Sequence, residues 1–124
     1  MATLSRPVVE SVRVGKIVGI RAGVAPHRFL RVWAVAVGNR VFVRTWNDKP
    51  TGWFRAFVKE RRGILQIPSG REVPVRARVA KGDGLLGAID AAYREKYNTF
   101  GSLKYVRGFA TPRRRAKTLE LMRR

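Results

Sequence analysis

The chain has 124 residues, which suits one domain of the commonest size, roughly 100–150 residues, and lets about two-thirds of the unfolded surface be buried. It has no cysteine and a single histidine, His27, which excludes disulfides, thiolate metal or redox chemistry and any site built from several histidines. Its 27 Lys and Arg against 8 Asp and Glu give a net charge of +19, yet 45% hydrophobic and 10% aromatic residues exclude a disordered polycation.

Residues 1–13 are weakly patterned and read as an arm or a short helix. Residues 16–21 (KIVGIR) read as a strand, followed by a loop with Gly23 and Pro26 that holds His27 and Arg28. Residues 31–37 (RVWAVAV) and 40–46 (RVFVRTW) are β-rich runs joined by Gly38 and Asn39, a two-residue hairpin signal. That turn sets Val35 opposite Phe42 and Trp33 opposite Arg44. Both faces are apolar, so the hairpin belongs in the middle of a sheet or barrel wall.

Residues 48–63 read as a loop and then a short helix. Thr51 is the expected N-cap, Trp53/Phe57 and Phe54/Val58 are i,i+4 apolar pairs, and Gly63 is the expected stop. Residues 64–67 and 71–79 form a second hairpin around Pro68, Ser69 and Gly70. In its second arm Val73, Val75, Ala77 and Val79 share the buried face, while Glu72, Pro74, Arg76 and Arg78 share a wet one. Residues 85–97 are the best helix, with Leu85, Ile89, Tyr93 and Tyr97 on one stripe. Residues 98–108 read as irregular, 111–116 as a helical turn with Pro112 at its first position, and 119–121 as a short closing strand. Nothing divides the chain, so 1–124 is one domain. No apolar run approaches the roughly 20 residues of a membrane span, and residues 1–10 lack a signal-peptide core, which makes the cytoplasm the expected location.

The eight carboxylates include no close pair, so paired-carboxylate hydrolysis and a carboxylate metal site are not expected, and no phosphate-binding glycine motif is present. Any chemistry therefore rests on something bound. Arg outnumbers Lys by 20 to 7, which favours bidentate contact with phosphate or carboxylate. The densest cluster of suitable groups is 44–53. Arg44 and Lys49 supply charge, Thr45 and Thr51 hydroxyls, and Trp46 and Trp53 flat apolar surface for a ring system. His27 and Arg28 are candidate pocket residues. Arg76 and Arg78 on the wet strand, with Arg113, Arg114 and Arg115 near the end of the chain, are candidate contacts for a polyanion such as nucleic acid.

The segments 32–46 (VWAVAVGNRVFVRTW), 52–57 (GWFRAF), 89–99 (IDAAYREKYNT), 101–109 (GSLKYVRGF) and 113–121 (RRRAKTLEL) resemble an uncharacterised bacterial family. That family is grouped with the flavin-binding split barrels, whose relatives include pyridoxamine-phosphate-oxidase-like enzymes and deazaflavin-dependent nitroreductases. The resemblance covers residues 12–122. It implies a mainly β domain with flanking helices, an antiparallel split β-barrel of about six strands. It also implies binding of FMN or a deazaflavin, oxidoreductase chemistry carried by that cofactor, and, as in many relatives, a homodimer whose interface completes the site. On this resemblance Arg44, Thr45, Lys49 and Thr51 hold the cofactor phosphate and Trp53 walls its pocket. Two alternatives stand beside that reading: a basic, non-enzymatic nucleic-acid-binding module, and a cofactor-free barrel that serves a structural or partner-binding role.

Overall fold

Period-two alternation of apolar residues on β-rich runs produces a sheet with two occupied faces, and a computed structural model describes its path over residues 2–23, 28–47 and 52–124. In chain order the elements are α1 (Arg6–Val14), β1 (Val18–Ala22), β2 (Leu30–Val32), β3 (Ala34–Val37), β4 (Arg40–Arg44) and α2 (Trp53–Glu60). They continue as β5 (Arg62–Gln66), β6 (Glu72–Val79), α3 (Asp83–Lys96), α4 (Leu103–Phe109), α5 (Pro112–Arg115) and β7 (Thr118–Arg123). The strands make one antiparallel sheet in the order β2-β1-β5-β6-β7-β4-β3. The two edge strands, β2 and β3, are consecutive in sequence, so the sheet curls into a nearly closed barrel. Mainly β with flanking helices is the architecture expected from the sequence.

The strand number differs from the expected six because the run 31–37 is not one strand. It divides at Trp33, with β2 pairing to β1 (Val18↔Val32) and β3 to β4 (Ala34↔Val43). The hairpin register is as expected, Val35 opposite Phe42, and Gly38 at φ 59° takes the left-handed backbone that its turn requires. Residues 119–121, expected as a short closing strand, lie within the longer β7, inserted between β6 and β4.

Alternation gives the sheet two cores. Inside the barrel Val41 and Val43 join Val18, Ile20, Leu65, Val75 and Leu121, together with Val8, Val9 and Val12 of α1 and Phe54 and Phe57 of α2. Outside, Val35 and Phe42 meet Ile89, Tyr93 and Tyr97 of the α3 segment and Val106 and Phe109 of α4. Tyr93 and Tyr97 are core residues, as their stripe indicates. α4 replaces the irregular segment expected over 98–108.

Gly52 occupies the N-cap position of α2; Thr51 lies outside the described residues. The helix stops at Arg61, not Gly63. Arg61 adopts φ 66°, at a cost of about 1–2 kcal/mol for a residue with a side chain, and its N–H donates to the Phe57 carbonyl at 2.7 Å. Gly63 instead belongs to β5, where its missing side chain admits the Phe57 ring.

On the outer wall Glu120, almost fully buried, accepts hydrogen bonds from Arg40 Nε and Nη2 (2.9 and 2.8 Å) and Arg78 Nη2 (3.0 Å). Burial pushes its carboxyl up, but the two arginines outweigh burial and hold it below its ordinary value. A second polar clamp lies at the end of α3. Lys96 Nζ donates to the carbonyls of Val12 (2.6 Å) and Ala34 (2.5 Å), and burial lowers its pKa to about 8. Tyr97 beside it donates to the Lys16 carbonyl, and its pKa is raised to about 12, chiefly by burial.

These shifts set an alkaline stability profile. Between pH 8 and 10.5 the unfolded chain holds the Lys96 proton that the folded chain has released, so stability rises with pH. Above pH 10 unfolded tyrosines ionise while buried Tyr97 and Tyr93 stay neutral, so stability falls. Thermal unfolding followed by circular dichroism should show a rise and then a fall. Lys96→Met should lose only the rise; equal rises in both proteins would exclude Lys96 as its source.

Candidate functional site

The outward face of β4 carries Phe42 and Arg44, and α3 and α4 cover that face. Arg44, 2% exposed, therefore lies beneath helices and not at the surface. Its Nε donates to Thr118 Oγ1 (2.6 Å), and its Nη1 donates to Asp90 Oδ1 (2.6 Å) and to the Phe109 carbonyl (2.9 Å). The guanidinium also faces the Tyr93 ring at 5.6 Å. Asp90 Oδ2 meets Arg115 Nε at 2.9 Å, so one carboxylate serves two cations and an excess positive charge remains. Arg44 Nη2 is buried and has no hydrogen-bond partner among the described residues. Unsatisfied buried donors are rare in folded proteins, and one on an arginine demands an explanation.

Arg44 forms part of the wall of a cleft of about 440 Å³. Five aromatic side chains line it: Trp33 at the barrel seam, Trp46 after β4, Trp53 at the start of α2, and Tyr105 and Phe109 on α4. Trp33 stacks flat on Tyr97, with centroids 4.2 Å apart and planes 5° apart, so its ring is fixed from behind. Trp46 meets Tyr105 and Phe109 edge-on at 5.3 and 5.6 Å. The Arg114 guanidinium lies over the Trp46 ring, 3.6 Å from its centroid. Leu30 and Tyr105 leave apolar surface open to solvent at the mouth, while Arg31 and Asn47 supply polar rim. Gly108 is what allows this packing, because a Cβ there would collide with the Trp46 ring.

Of the residues singled out in the sequence, Arg44, Thr45, Trp46 and Trp53 come together in this cleft. Thr45 is buried, with its hydroxyl donated to the Asn47 carbonyl at 2.6 Å. His27, Lys49 and Thr51 lie outside the described residues. Arg28 is exposed and is not among the cleft residues. Arg76 and Arg78 lie on the exposed outer wall, Arg76 directly opposite Arg62 and Arg78 bound to Glu120. The run 113–115 divides: Arg113 is exposed, Arg114 braces Trp46, and Arg115 turns to Asp90.

Sequence reasoning missed Trp33, Tyr105, Phe109 and Asp90. The i,i+4 aromatic pair Tyr105/Phe109, following Gly101 and Ser102, was the available signal for a short helix with a ring-bearing face; nothing local marks Asp90 as the partner of Arg44.

The profile of a family described as an uncharacterised protein conserved in bacteria, DUF2255, matches residues 10–121. No curated protein matches the chain in sequence. Among solved structures, the conserved hypothetical protein Rv2991 from Mycobacterium tuberculosis is similar, with a TM-score of 0.62 and 13% identity over 99% of this chain and 83% of that one. At that identity the likeness establishes a shared fold and no more.

Proposed function

We propose that this chain, which belongs to the DUF2255 family, is a flavin- or deazaflavin-binding split-barrel protein whose ring site is the aromatic cleft. One observation carries the reading: a cleft walled by five aromatic rings also contains a buried arginine with a donor nitrogen that has no partner among the described residues. Its volume falls within the roughly 300–1,000 Å³ of ligand pockets, and flat rings suit a planar heterocycle better than a flexible chain. The excess positive charge of the Arg44–Asp90–Arg115 group favours an anionic or electron-rich ligand edge nearby.

When bound, such a cofactor supplies hydride or electron transfer. The chain's own part is to orient the ring between Trp33, Trp46 and Trp53 and to shield one face of it from water. The cleft is favoured over the basic outer wall because several wall cations already face carboxylates, as Arg78 faces Glu120 and Arg62 faces Glu60 at 3.7 Å.

All three tryptophans of the chain line the cleft, so intrinsic fluorescence reports on it directly. Flavin mononucleotide or a deazaflavin should quench that fluorescence saturably at physiological salt. Tyr105→Ala, a change at a 42% exposed side chain, should weaken binding by about 0.5–1.5 kcal/mol, the usual worth of an aromatic contact. Absence of saturable quenching by both cofactors would refute the proposal.

A further inference from the structure

α3 and α4 pack on the outside of β3 and β4 and leave the outward residues of β6 exposed. That bare face gathers like charges. Arg62 of β5 stands directly opposite Arg76 of β6, a pairing that opposes folding because such neighbours lie only about 4.5–5.5 Å apart at Cβ. Glu60 lies 3.7 Å from Arg62, but the two side chains are 57% (Arg62) and 44% (Glu60) exposed, so solvent screens the contact. Arg76 has no ion pair among the described residues. Two residues along β6, Arg78 shares Glu120 with Arg40, so two cations meet one carboxylate, and the Arg78 side chain stays 60% exposed.

At Arg78 this face meets a hollow of about 340 Å³. Arg61, Arg78 and Lys81 line it and no carboxylate does, and neither Arg61 nor Lys81 has an ion pair among the described residues. Arg61 closes α2 in the left-handed backbone conformation, φ 66°, where glycine or asparagine is the ordinary choice. An arginine held there against its backbone preference, and lining a basic hollow, points to a use for the charge.

We infer that this face, from Arg62 and Arg76 to Arg61, Arg78 and Lys81, is a docking surface for the phosphate backbone of duplex nucleic acid, bound without regard to base sequence. A net charge of +19 draws polyanions in from a distance, and the wall is where one lands. Its five cations, four of them arginines, suit phosphate oxygens in geometry as well as charge. Neither β5 nor β6 contains an aromatic residue, so the wall has no platform for the unstacked bases of a single strand. The hollow shares no residue with the aromatic cleft, so this surface stands or falls apart from the cofactor reading.

Anisotropy of a short fluorescent DNA duplex, titrated with protein freed of nucleic acid at several salt concentrations, tests this. The logarithm of affinity should fall against that of salt with a slope of about −4 to −5, as neutralising one phosphate per cation requires. Arg61→Asn/Arg76→Gln/Lys81→Gln removes three exposed cations that pair with no described residue. It should make the slope shallower by about 2–3 and lower affinity at physiological salt at least about 10-fold. Arg6→Gln/Arg94→Gln/Arg107→Gln removes the same charge from exposed positions on three helices and should change both far less. Bound duplex should also slow chemical acetylation of Lys81 in wild type and spare that of Lys104 on α4, a readout that needs no variant. Equal losses in the two triple variants, or a Lys81 acetylated at an unchanged rate, overturn the inference. A single strand that binds as tightly as the duplex overturns the choice of occupant. Polyglutamate that competes as well as unlabelled duplex of equal charge overturns it too, and assigns the wall to an acidic protein.

Discussion

Asp90→Ala is expected to lower the folding free energy by about 3–5 kcal/mol, the usual consequence of removing one partner of a buried ion pair. The Arg44 side chain is fully buried, and Asp90 is the carboxylate that faces it, at 2.6 Å. Without that carboxylate, Arg44 and Arg115 remain as neighbouring cations, and among the described residues Arg44 keeps Thr118 Oγ1, a carbonyl and a ring face to receive it. It cannot turn to water without lifting the helix. Arg44→Met removes the buried charge together with its need for a partner and leaves Asp90 to Arg115, so it should cost less than Asp90→Ala. Urea midpoints at constant m-value measure both. A loss below about 1 kcal/mol for Asp90→Ala would mean that water or rearrangement compensates the cluster, contrary to its burial.

Gly63→Ala should be nearly as damaging, by about 3 kcal/mol, the upper end of overpacking penalties. Gly63 sits in β5 between Ala22 of β1 and Val75 of β6, and faces the barrel interior. A Cβ there would lie 2.5 and 2.6 Å from two Phe57 ring carbons and would collide with the Arg21 carbonyl. The ring is held in the inner core and the carbonyl belongs to a paired strand, so neither yields cheaply. Gly87→Ala is the internal comparison. It lies within α3 with nothing inside 4 Å of the added methyl, and should stabilise by roughly 0.5–1 kcal/mol through backbone entropy. Thermal or urea unfolding of the two variants should therefore move in opposite directions, and a Gly63→Ala protein as stable as wild type would show that Phe57 does not press on β5.

Much of the sheet is legible in the sequence because its signals are local. Gly38 and Asn39 fix the hairpin, so Val35 meets Phe42 by turn geometry alone, and the alternation from Val73 to Val79 declares which side of β6 is wet. The division at Trp33 is not legible. Residues 31–37 have one continuous β pattern, and what breaks it is the barrel's curvature, which hands the chain from β1 to β4 as partner. α4 was hidden for a different reason: seven residues bounded by glycine and polar positions give too few turns for a periodic signal, and only packing of Val106 and Phe109 on the outer core holds it. In the site, Trp46 and Trp53 could be found because they flank a local cluster. Asp90 could not, since 46 residues separate it from Arg44 and only the docking of α3 on β4 unites them.

The seam at Trp33 has a consequence for self-association. An unclosed sheet leaves two edges, each a template for pairing with another chain, and a segment such as AVAV at β3 would be a hazard if it lay bare. Here β3 is packed against both α1 and α3, and β2 is only three residues long and carries the exposed Arg31. The barrel therefore stops short of closure without offering a long bare strand, and its wall remains open on the side where the aromatic rings gather.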